Sequence, residues 1–194
     1  AISRRVAAGR VKLPNGVAPL LKGHKRYLQG RNFDPIALAT MWQLQGIGPI
    51  GRLSWRLFIP IVLAGQTVSW TTRTIGNQEP RYISASLDEE AVAHKTLLFG
   101  EDYCRHACVV CEGPFDVFRI GPGAVATMGT GVSPAQVLRL SNYMCRVICF
   151  DNEPKAQQRA KELCSKLDVF RGETINVVLD SKDAGEASDQ EIKQ

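Results

Sequence analysis

The second half of the chain alternates short apolar runs with segments that read as helices. CVVCE, AVATM, CRVICFD and TINVVLD have the composition of strands, and SPAQVLRLS and PKAQQRAKELCSKL lie between them. Ser133 and Pro134 are a typical helix cap and first-turn residue. Parallel strands need long crossover connections, usually helices. The alternation therefore predicts βαβ units and a parallel sheet, covered on its faces, within residues 101–194.

The first half follows a different pattern, typical of a small α+β subdomain over residues 1–100. Asp34 and Pro35 predict the start of a helix that ends at Gly46. LSWRLFIPIVL and TVSWTTRTI predict a β-hairpin, and Pro60 predicts a sheet edge or a bulge within it. A further helix is expected over residues 88–99.

Charge is distributed unevenly between these two halves. Residues 1–100 contain 13 Lys and Arg against 5 Asp and Glu, a net charge of +8, whereas residues 101–194 contain 11 against 14, a net charge of −3. A basic surface of this kind suits a polyanionic ligand, although a solvated basic face would have the same composition.

Composition excludes several classes of protein. No run of eighteen apolar residues occurs and the first residues lack the apolar core of a secretory signal, so we expect a cytoplasmic protein without a membrane segment. Four of the six cysteines lie in apolar runs, which favours buried thiols. Cys104, Cys108 and Cys111 are closely spaced around His106, but a second ligand pair is missing, so no zinc is expected.

Acidic residues follow three of the predicted strands, at the point where each strand ends. The carboxyl ends of parallel strands meet at one edge of a sheet, where α/β proteins bind their ligands. Any one of these acids could instead cap a helix, an alternative that we prefer for Asp180 and leave open for Asp116. The acids are, in chain order, Glu112, Asp116, Asp151, Glu153, Asp180 and Asp183.

Like charges gathered at one edge repel each other unless a cation or a proton neutralises them. Carboxylate oxygens without histidine favour a hard ion, Mg²⁺ or Mn²⁺, over zinc. The chain has neither a GxxxxGK[ST] phosphate loop nor a GxSxG nucleophile elbow. The pattern therefore predicts metal-assisted phosphoryl chemistry, with the basic half binding a nucleic acid or a triphosphate.

The same segments resemble a known family. CVVCEGPFDVFRIGPGAVATMGTGVSPAQVLRL, VICFDNEPKAQQRAKEL and VVLDSKDAGE resemble the Toprim fold of bacterial and bacteriophage DNA primases. The family motif E-G-x-x-D is matched by Glu112, Gly113 and Asp116, and its glycine-threonine turn by Gly129-Thr130. The resemblance implies a Rossmann-like parallel-sheet domain that binds divalent metal.

Segments upstream of these motifs resemble the amino-terminal basic subdomain of the same primase catalytic core. They are HKRYLQGRNFDP, WRLFIPI, GQTVSWTTRTI, EPRYISAS and HKTLLFG, in the family's order. With them the resemblance covers about residues 24–186. It implies a mixed α/β protein that synthesises RNA primers on single-stranded DNA, of a phage-like or plasmid-like kind.

The resemblance also assigns roles to individual residues. It implies that Glu112, Asp151 and Glu153 are catalytic, and that they bind Mg²⁺ or Mn²⁺ together with Asp116 and Asp183. Glu153 departs from the family, which has aspartate there, and Pro154-Lys155-Ala156 replaces its usual alanine-glycine pair. Basic residues that would bind template or nucleotide are Arg73, Arg81 and Lys95.

Partners follow from the resemblance as well. It implies a single-stranded DNA template, ribonucleoside triphosphates, a replicative helicase and a zinc-ribbon module in the same chain or another. Two alternatives stay open: a Toprim nuclease, which would share the acidic motifs but not the basic subdomain, and a non-catalytic module that binds nucleic acid or a helicase. Glu153 and the altered residues after it motivate the second.

Overall fold

The computed structural model describes residues 10–129 and 131–193 and divides the chain into two compact units. These are Ala1–His94 and Lys95–Gln194. The functional division predicted after residue 100 stays a prediction. In the structure, Lys95 is the first residue of the second unit.

The first unit is built on a five-stranded antiparallel sheet whose strands follow one another in chain order. Two helices come between the first and second strands in the sequence. The elements are β1 (Val17–Ala18), α1 (Lys22–Gln29), α2 (Pro35–Trp42), β2 (Gln45–Ile47), β3 (Arg56–Leu63), β4 (Gln66–Thr74) and β5 (Tyr82–Ser84).

The predicted hairpin is confirmed as β3 and β4, which pair along their whole length. Strand β2 pairs with only the first three residues of β3, so Pro60 lies where β3 has no described neighbour on that side. The register then shifts between Ile61 and Val62. Pro60 has no backbone N–H to donate, and this side of β3 requires none, so the expected edge setting is found. The irregularity begins one residue after Pro60.

Helix α2 begins as predicted but ends early. The Asp34 carboxylate accepts hydrogen bonds from the backbone N–H groups of Ile36 (2.8 Å) and Ala37 (3.3 Å), and thus caps the helix. The helix stops at Trp42, and Gly46 lies in β2. A Cβ on Gly46 would lie 2.5 Å from the ring of the buried His24, so this glycine serves close packing and not a helix end.

The prediction of a helix over residues 88–99 is wrong. That segment consists of turns and a 3₁₀ helix at His94–Thr96. The backbone N–H groups of Ala91 and Val92 donate to the carbonyl of Val68 on β4, at 2.8 and 3.2 Å, and not to the preceding turn. The carboxylate of Glu90 accepts from the hydroxyl of Ser69 at 2.7 Å. Tertiary hydrogen bonds to β4 thus replace the helical ones.

The second unit contains the predicted parallel sheet. Its strand order is β7-β6-β8-β9, and each neighbouring pair is parallel. Helices connect the strands, as the alternation predicted. The elements are β6 (Ala107–Cys111), α3 (Pro114–Ile120), β7 (Ala124–Ala126), α4 (Pro134–Leu140), β8 (Cys145–Ile148), α5 (Pro154–Leu167), β9 (Glu173–Asn176) and α6 (Asp189–Ile192).

Helix α5 covers this sheet through one apolar face. Ala156, Ala160, Leu163 and Leu167 recur at helical spacing and are buried in one cluster with residues of β6 and β8. The spacing in the sequence predicts this face, with Cys164 as a fifth member. The structure confirms it, except that Cys164 is only partly buried. This packing fixes the start of α5, and with it the loop that follows β8.

The sheet places three loops side by side. Strands β6, β8 and β9 are adjacent and parallel, so the segments that leave their carboxyl ends emerge at the same edge. Within the described residues, no helix is long and apolar enough to span a bilayer.

A glycine at the entry to β9 gives a first test of this architecture. Gly172 has φ of +99°, and a Cβ there would lie 2.5 Å from the backbone oxygen of Met144, which accepts the hydrogen bond that starts β9. Gly123 has a similar φ of +103° but open space around it. We expect Gly123→Ala to lower the free energy of unfolding by about 1–3 kcal/mol, the cost of backbone strain alone. Gly172→Ala should cost roughly 1–3 kcal/mol more because of the clash.

Urea unfolding of both variants measures the difference. Equal losses for the two variants would contradict the close approach of Gly172 to Met144.

Candidate active site

Three of the predicted acids stand on the three adjacent loops at the carboxyl edge of the parallel sheet. Glu112 follows β6 directly, Asp151 comes three residues after β8, and Asp183 lies on the loop between β9 and α6. Asp116 lies in the first turn of α3, just beyond Glu112. The fold thus gathers acids from separate parts of the sequence, as the strand pattern predicted.

Glu112 is held by an arginine that the sequence analysis did not identify. Nη2 of Arg159, on α5, donates to both carboxylate oxygens of Glu112, at 2.7 and 2.9 Å. Both side chains are partly buried. A charge-assisted contact of this length is among the stronger hydrogen bonds in proteins. Glu112 is therefore paired with the cationic side chain of Arg159.

Asp116 is buried and acts on the backbone. One of its oxygens accepts from the N–H of Gly113 at 2.9 Å, and the other accepts from the N–H of Gly185 at 3.0 Å. Burial, with the charges of Asp183 and Glu112, raises the pKa of Asp116 to about 6. This side chain joins the start of α3 to the loop after β9, and its role as a metal ligand stays a prediction.

Asp151 is half-buried and, among the described residues, receives no hydrogen bond on its carboxylate. Burial raises the pKa of Asp151 to about 7, and the charges of neighbouring carboxylates add to that shift, Glu112 and Asp116 foremost. Its carboxyl group therefore keeps a proton to a higher pH than an ordinary aspartate does. The carboxylate lies among like charges without a counter-ion of its own.

The loop that carries Asp151 is fixed through its backbone. Nε2 of Gln157 donates to the carbonyl oxygens of Phe150 (3.3 Å) and Asp151 (3.1 Å). The amide oxygen of Gln157 accepts from Asn176 of β9 at 3.0 Å. One glutamine side chain thus ties the loop after β8 to the next strand.

A second connection joins the loops after β8 and β9. The backbone N–H of Asn152 donates to the carbonyl of Lys182 at 2.7 Å. The side-chain amide of Asn152 donates to the carbonyl of Leu179 at 2.8 Å. A Cβ on Gly185 would lie 3.1 Å from an oxygen of Asp116 and 3.3 Å from one of Asp183. Gly185 therefore leaves room for these two carboxylates to lie near each other.

Glu153 has a different setting from the other acids. It is exposed, precedes α5, and forms an ion pair with the equally exposed Lys182 at 3.4 Å. Its side chain thus faces solvent and a lysine of the neighbouring loop. The expected roles of Glu153 in catalysis and metal binding stay predictions.

The donor chemistry of this edge fits a hard divalent cation. The side chains are carboxylates. Burial, and after it the negative charge of neighbouring carboxylates, raises the pKa of Asp116 and Asp151, and a bound cation would offset the repulsion between these charges. Over residues 10–129 and 131–193, no three or more His, Cys, Asp or Glu side chains stand together as a ready set of metal ligands. All six cysteines are free thiols.

The predicted nucleic-acid residues have unlike environments. Arg73 is buried in the first unit, where its guanidinium donates to the hydroxyls of Tyr27 (3.0 Å) and Tyr82 (2.6 Å) and lies over the ring of Tyr82. Arg81, just before β5, is exposed. Contact with a polyanion requires a side chain that is exposed to solvent. Arg81 meets this requirement and Arg73 does not.

Lys95 is exposed in the second unit and approaches the glycine turn that follows β7. A Cβ on Gly129 would lie 3.0 Å from its Nζ. The other residue of the glycine-threonine motif, Thr130, lies outside the described residues.

A sequence signal for Arg159 does exist. It lies three residues after the buried Ala156 and four before the buried Leu163, so it falls on the inward stripe of α5. A charged residue at such a position needs a partner of opposite charge. That requirement points to an acid at the sheet edge, although it does not say which one.

Comparison with known proteins gives sequence relatives among bacterial primases. The chain is 30% identical over 190 residues to a DNA primase of Synechocystis sp.. That alignment covers 86% of this chain and 29% of the Synechocystis protein. The chain is also 34% identical over 122 residues to a DNA primase of Thermotoga maritima, covering 57% of this chain and 21% of that protein. The chain therefore spans less than a third of the length of these relatives. No family model matches.

Solved structures show the same fold. The Aquifex aeolicus primase, described with its zinc-binding and RNA polymerase domains, matches with a TM-score of 0.72 and 20% identity, over 86% of this chain and 52% of that one. The DnaG primase catalytic domain bound to single-stranded DNA matches with a TM-score of 0.71 and 16% identity, over 87% and 67%.

A bacteriophage protein has a similar fold too. The primase fragment of the bacteriophage T7 primase-helicase protein matches with a TM-score of 0.65 and 15% identity, over 92% of this chain and 76% of that one. Coverage of this extent includes residues of both units. The predicted mixed α/β fold with its parallel Toprim sheet is confirmed: the chain is similar in sequence to bacterial DNA primases and in fold to bacterial-type primase catalytic cores.

Proposed function

We propose that this chain synthesises short RNA primers on single-stranded DNA for replication. The observation that carries the proposal is the position of Glu112, Asp151 and Asp183 on three adjacent loops at one sheet edge, in a chain whose relatives are named DNA primases. The reaction joins ribonucleotides, with the terminal hydroxyl of one attacking the α-phosphate of the next and releasing pyrophosphate. A chain with this role acts in the cytoplasm, where the replicated DNA lies.

Three carboxylates are the best candidates to hold Mg²⁺ or Mn²⁺. Asp151 lacks a hydrogen-bond donor among the described residues, Asp183 accepts one backbone N–H at 2.9 Å, and Glu112 is held by a side chain that can move. Bound metal would neutralise negative charge on the phosphates as the new bond forms. Asp116 and Glu153 are weaker candidates for metal ligands. Asp116 already accepts hydrogen bonds from two backbone N–H groups, and Glu153 is exposed.

The chain's other residues orient these acids. Gln157 and Asn152 fix the backbone that carries Asp151, and Asp116 fixes the loop that carries Asp183. Such fixed positions lower the reorganisation needed when the phosphates arrive. Glu112 is also placed to accept a proton from the attacking hydroxyl once Arg159 has moved away.

Binding of template and triphosphate is assigned to the basic residues. The net charge of +8 on residues 1–100 supports contact with a polyanion. Arg81 is exposed and suits direct contact with phosphate, whereas Arg73 acts through the two tyrosines that it orients. Lys95, beside Gly129, suits a phosphate of the incoming nucleotide.

A helicase and a zinc-binding module are proposed as partners. Two of the similar structures are described as a primase with a zinc-binding domain and as part of a primase-helicase protein. A nuclease is the weaker alternative, because the similarity to primases covers the first unit as well as the acidic one. Incubation with labelled DNA separates the two, since a nuclease would shorten it without incorporating nucleotides.

Neutral substitution of the acids tests the proposal directly. Glu112→Gln and Asp151→Asn should each lower template-dependent RNA synthesis by more than about 100-fold, because each removes negative charge from the proposed metal site. The measurement is incorporation of labelled ribonucleotides on a mixed set of single-stranded templates with Mn²⁺. Asp168→Asn, at the exposed end of α5, is the matched control and should retain activity.

Circular dichroism must show that the variants keep the fold. Full synthesis by either folded variant would overturn the assignment of these residues, and the absence of synthesis by the wild-type chain would leave DNA binding alone.

Metal and pH should act on stability together. In the folded chain the pKa is about 6 for Asp116 and about 7 for Asp151. In the unfolded chain both residues have ordinary aspartate pKa values near 4, so between these values the folded chain binds more protons than the unfolded chain. Without metal, their contribution to the free energy of unfolding therefore falls as pH rises from about 4 to about 7. We expect Mn²⁺ to raise the melting temperature more at pH 7.5 than at pH 5.

Thermal unfolding at the two pH values, with and without Mn²⁺, checks this. The Asp151→Asn variant should show a shallower pH dependence and a smaller response to Mn²⁺. An equal response to Mn²⁺ at both pH values would contradict the proposed site.

Removal of an exposed basic side chain should weaken DNA binding in a salt-dependent way. If Arg81 contacts one phosphate, Arg81→Gln should reduce the slope of log affinity against log salt by ~0.7 for single-stranded DNA. Fluorescence anisotropy over a range of NaCl concentrations gives the slope. Lys166→Gln, an exposed charge on α5, should leave it unchanged. An unaltered slope for Arg81→Gln would remove Arg81 from the interface.

A further inference from the structure

The ion pair between Arg159 and Glu112 has a consequence for metal binding. A single nitrogen, Nη2, lies 2.7 Å from one carboxylate oxygen and 2.9 Å from the other. The arginine thus occupies the face of the carboxylate on which a metal ion would bind with one or both oxygens. Both groups are only partly exposed, so solvent screens their attraction less than it would at an open surface.

In the part of the chain that the structure describes, no other lysine or arginine side chain pairs with Glu112, Asp116 or Asp151. Among the described residues, Asp151 has no ion pair, and both oxygens of Asp116 accept from backbone N–H groups. The one lysine paired with an acid on these loops, Lys182, contacts the exposed Glu153. Arg119 is nearby but donates to the carbonyl of Gly185 at 3.4 Å and pairs with Asp189. Arg159, by contrast, contacts the carboxylate of Glu112 directly.

We propose that Arg159 is a built-in counter-cation that competes with the divalent metal for Glu112. The inference rests on the proposed function, since it takes Glu112 to be a metal ligand. In the metal-free chain Arg159 holds the carboxylate and lowers the repulsion at the sheet edge. Binding of the metal to Glu112 would require Arg159 to give up its hydrogen bonds to that carboxylate.

This competition fixes the sign of a mutational effect. Removal of the positive charge by Arg159→Gln leaves Glu112 free and the edge more negative, so the metal should bind more tightly. Arg159→Lys keeps the charge and should remain near the wild type. A residue that merely shaped Glu112 for ligation would give the opposite sign, because its loss would weaken metal binding.

Direct titration with Mn²⁺ tests the proposal without any enzymatic assay. Isothermal titration calorimetry, with free Mn²⁺ followed by electron paramagnetic resonance, gives the dissociation constant for the full chain. We expect Arg159→Gln to bind Mn²⁺ roughly 5- to 10-fold more tightly than the wild type, a coupling in the usual range for two linked sites. Lys161→Gln removes an exposed charge two residues along the same helix and should change the constant little.

A double-mutant comparison separates the pair from a general charge effect. In the Glu112→Gln background, Arg159→Gln should no longer tighten Mn²⁺ binding, because the competition that it relieves is already absent. Circular dichroism and thermal unfolding establish that each variant is folded before titration.

The outcomes distinguish the inference from the function beneath it. If the wild type binds Mn²⁺ and loses it in Asp151→Asn, yet Arg159→Gln binds no more tightly, the competition is overturned and the metal site stands. The same tightening for Lys161→Gln would also overturn it, since net charge alone would then explain the effect. If neither the wild type nor Arg159→Gln binds Mn²⁺, the metal site fails and the competition fails with it.

Discussion

Repulsion between carboxylates at one edge of a parallel sheet is the constraint on which the second unit depends. Strands β6, β8 and β9 bring their following loops together, and each loop delivers an acid. Each of three acids is stabilised in a different way. Asp116 accepts from two backbone N–H groups, Glu112 pairs with Arg159, and Asp151 retains a proton with a pKa of about 7. A different compensation for each acid keeps the edge stable without collapsing it into one ion-pair network.

Backbone hydrogen bonds set the positions of these acids more than contacts between the acids themselves. Gln157 reaches from α5 to the carbonyl of Asp151 and accepts from Asn176 of β9. Asn152 joins the loops after β8 and β9. A carboxylate on a loop held in this way keeps its place when its own charge is neutralised, which is what a site for a removable cation requires.

Features set by nearby residues could be predicted from the sequence, and features set by distant ones could not. The α2 cap at Asp34, the β3–β4 hairpin and the apolar face of α5 depend on short-range spacing and were found as expected. The helix over residues 88–99 failed because Glu90 and the following amides bond to β4. The sequence pattern of residues 88–99 contains no information about their hydrogen bonds to β4.

The same division applies to the candidate site. The acids could be predicted because strand ends are visible in the sequence and parallel strands share an edge. The pairing of Glu112 with Arg159 spans 47 positions, and the burial of Arg73 between Tyr27 and Tyr82 depends on three separate elements. Sequence spacing shows that Arg159 needs a partner, but only the packing of α5 on the sheet selects Glu112.

The hydrogen bond from Gly185 to Asp116 also has a consequence for how the chain folds. The two residues are 69 positions apart, and β7, α4, β8, α5 and β9 all lie between them. A contact of such long range raises the mean sequence separation of the contacts in the second unit, and closing the chain between its two ends costs conformational entropy. A unit tied together in this way is expected to fold more slowly than a helical bundle of the same length.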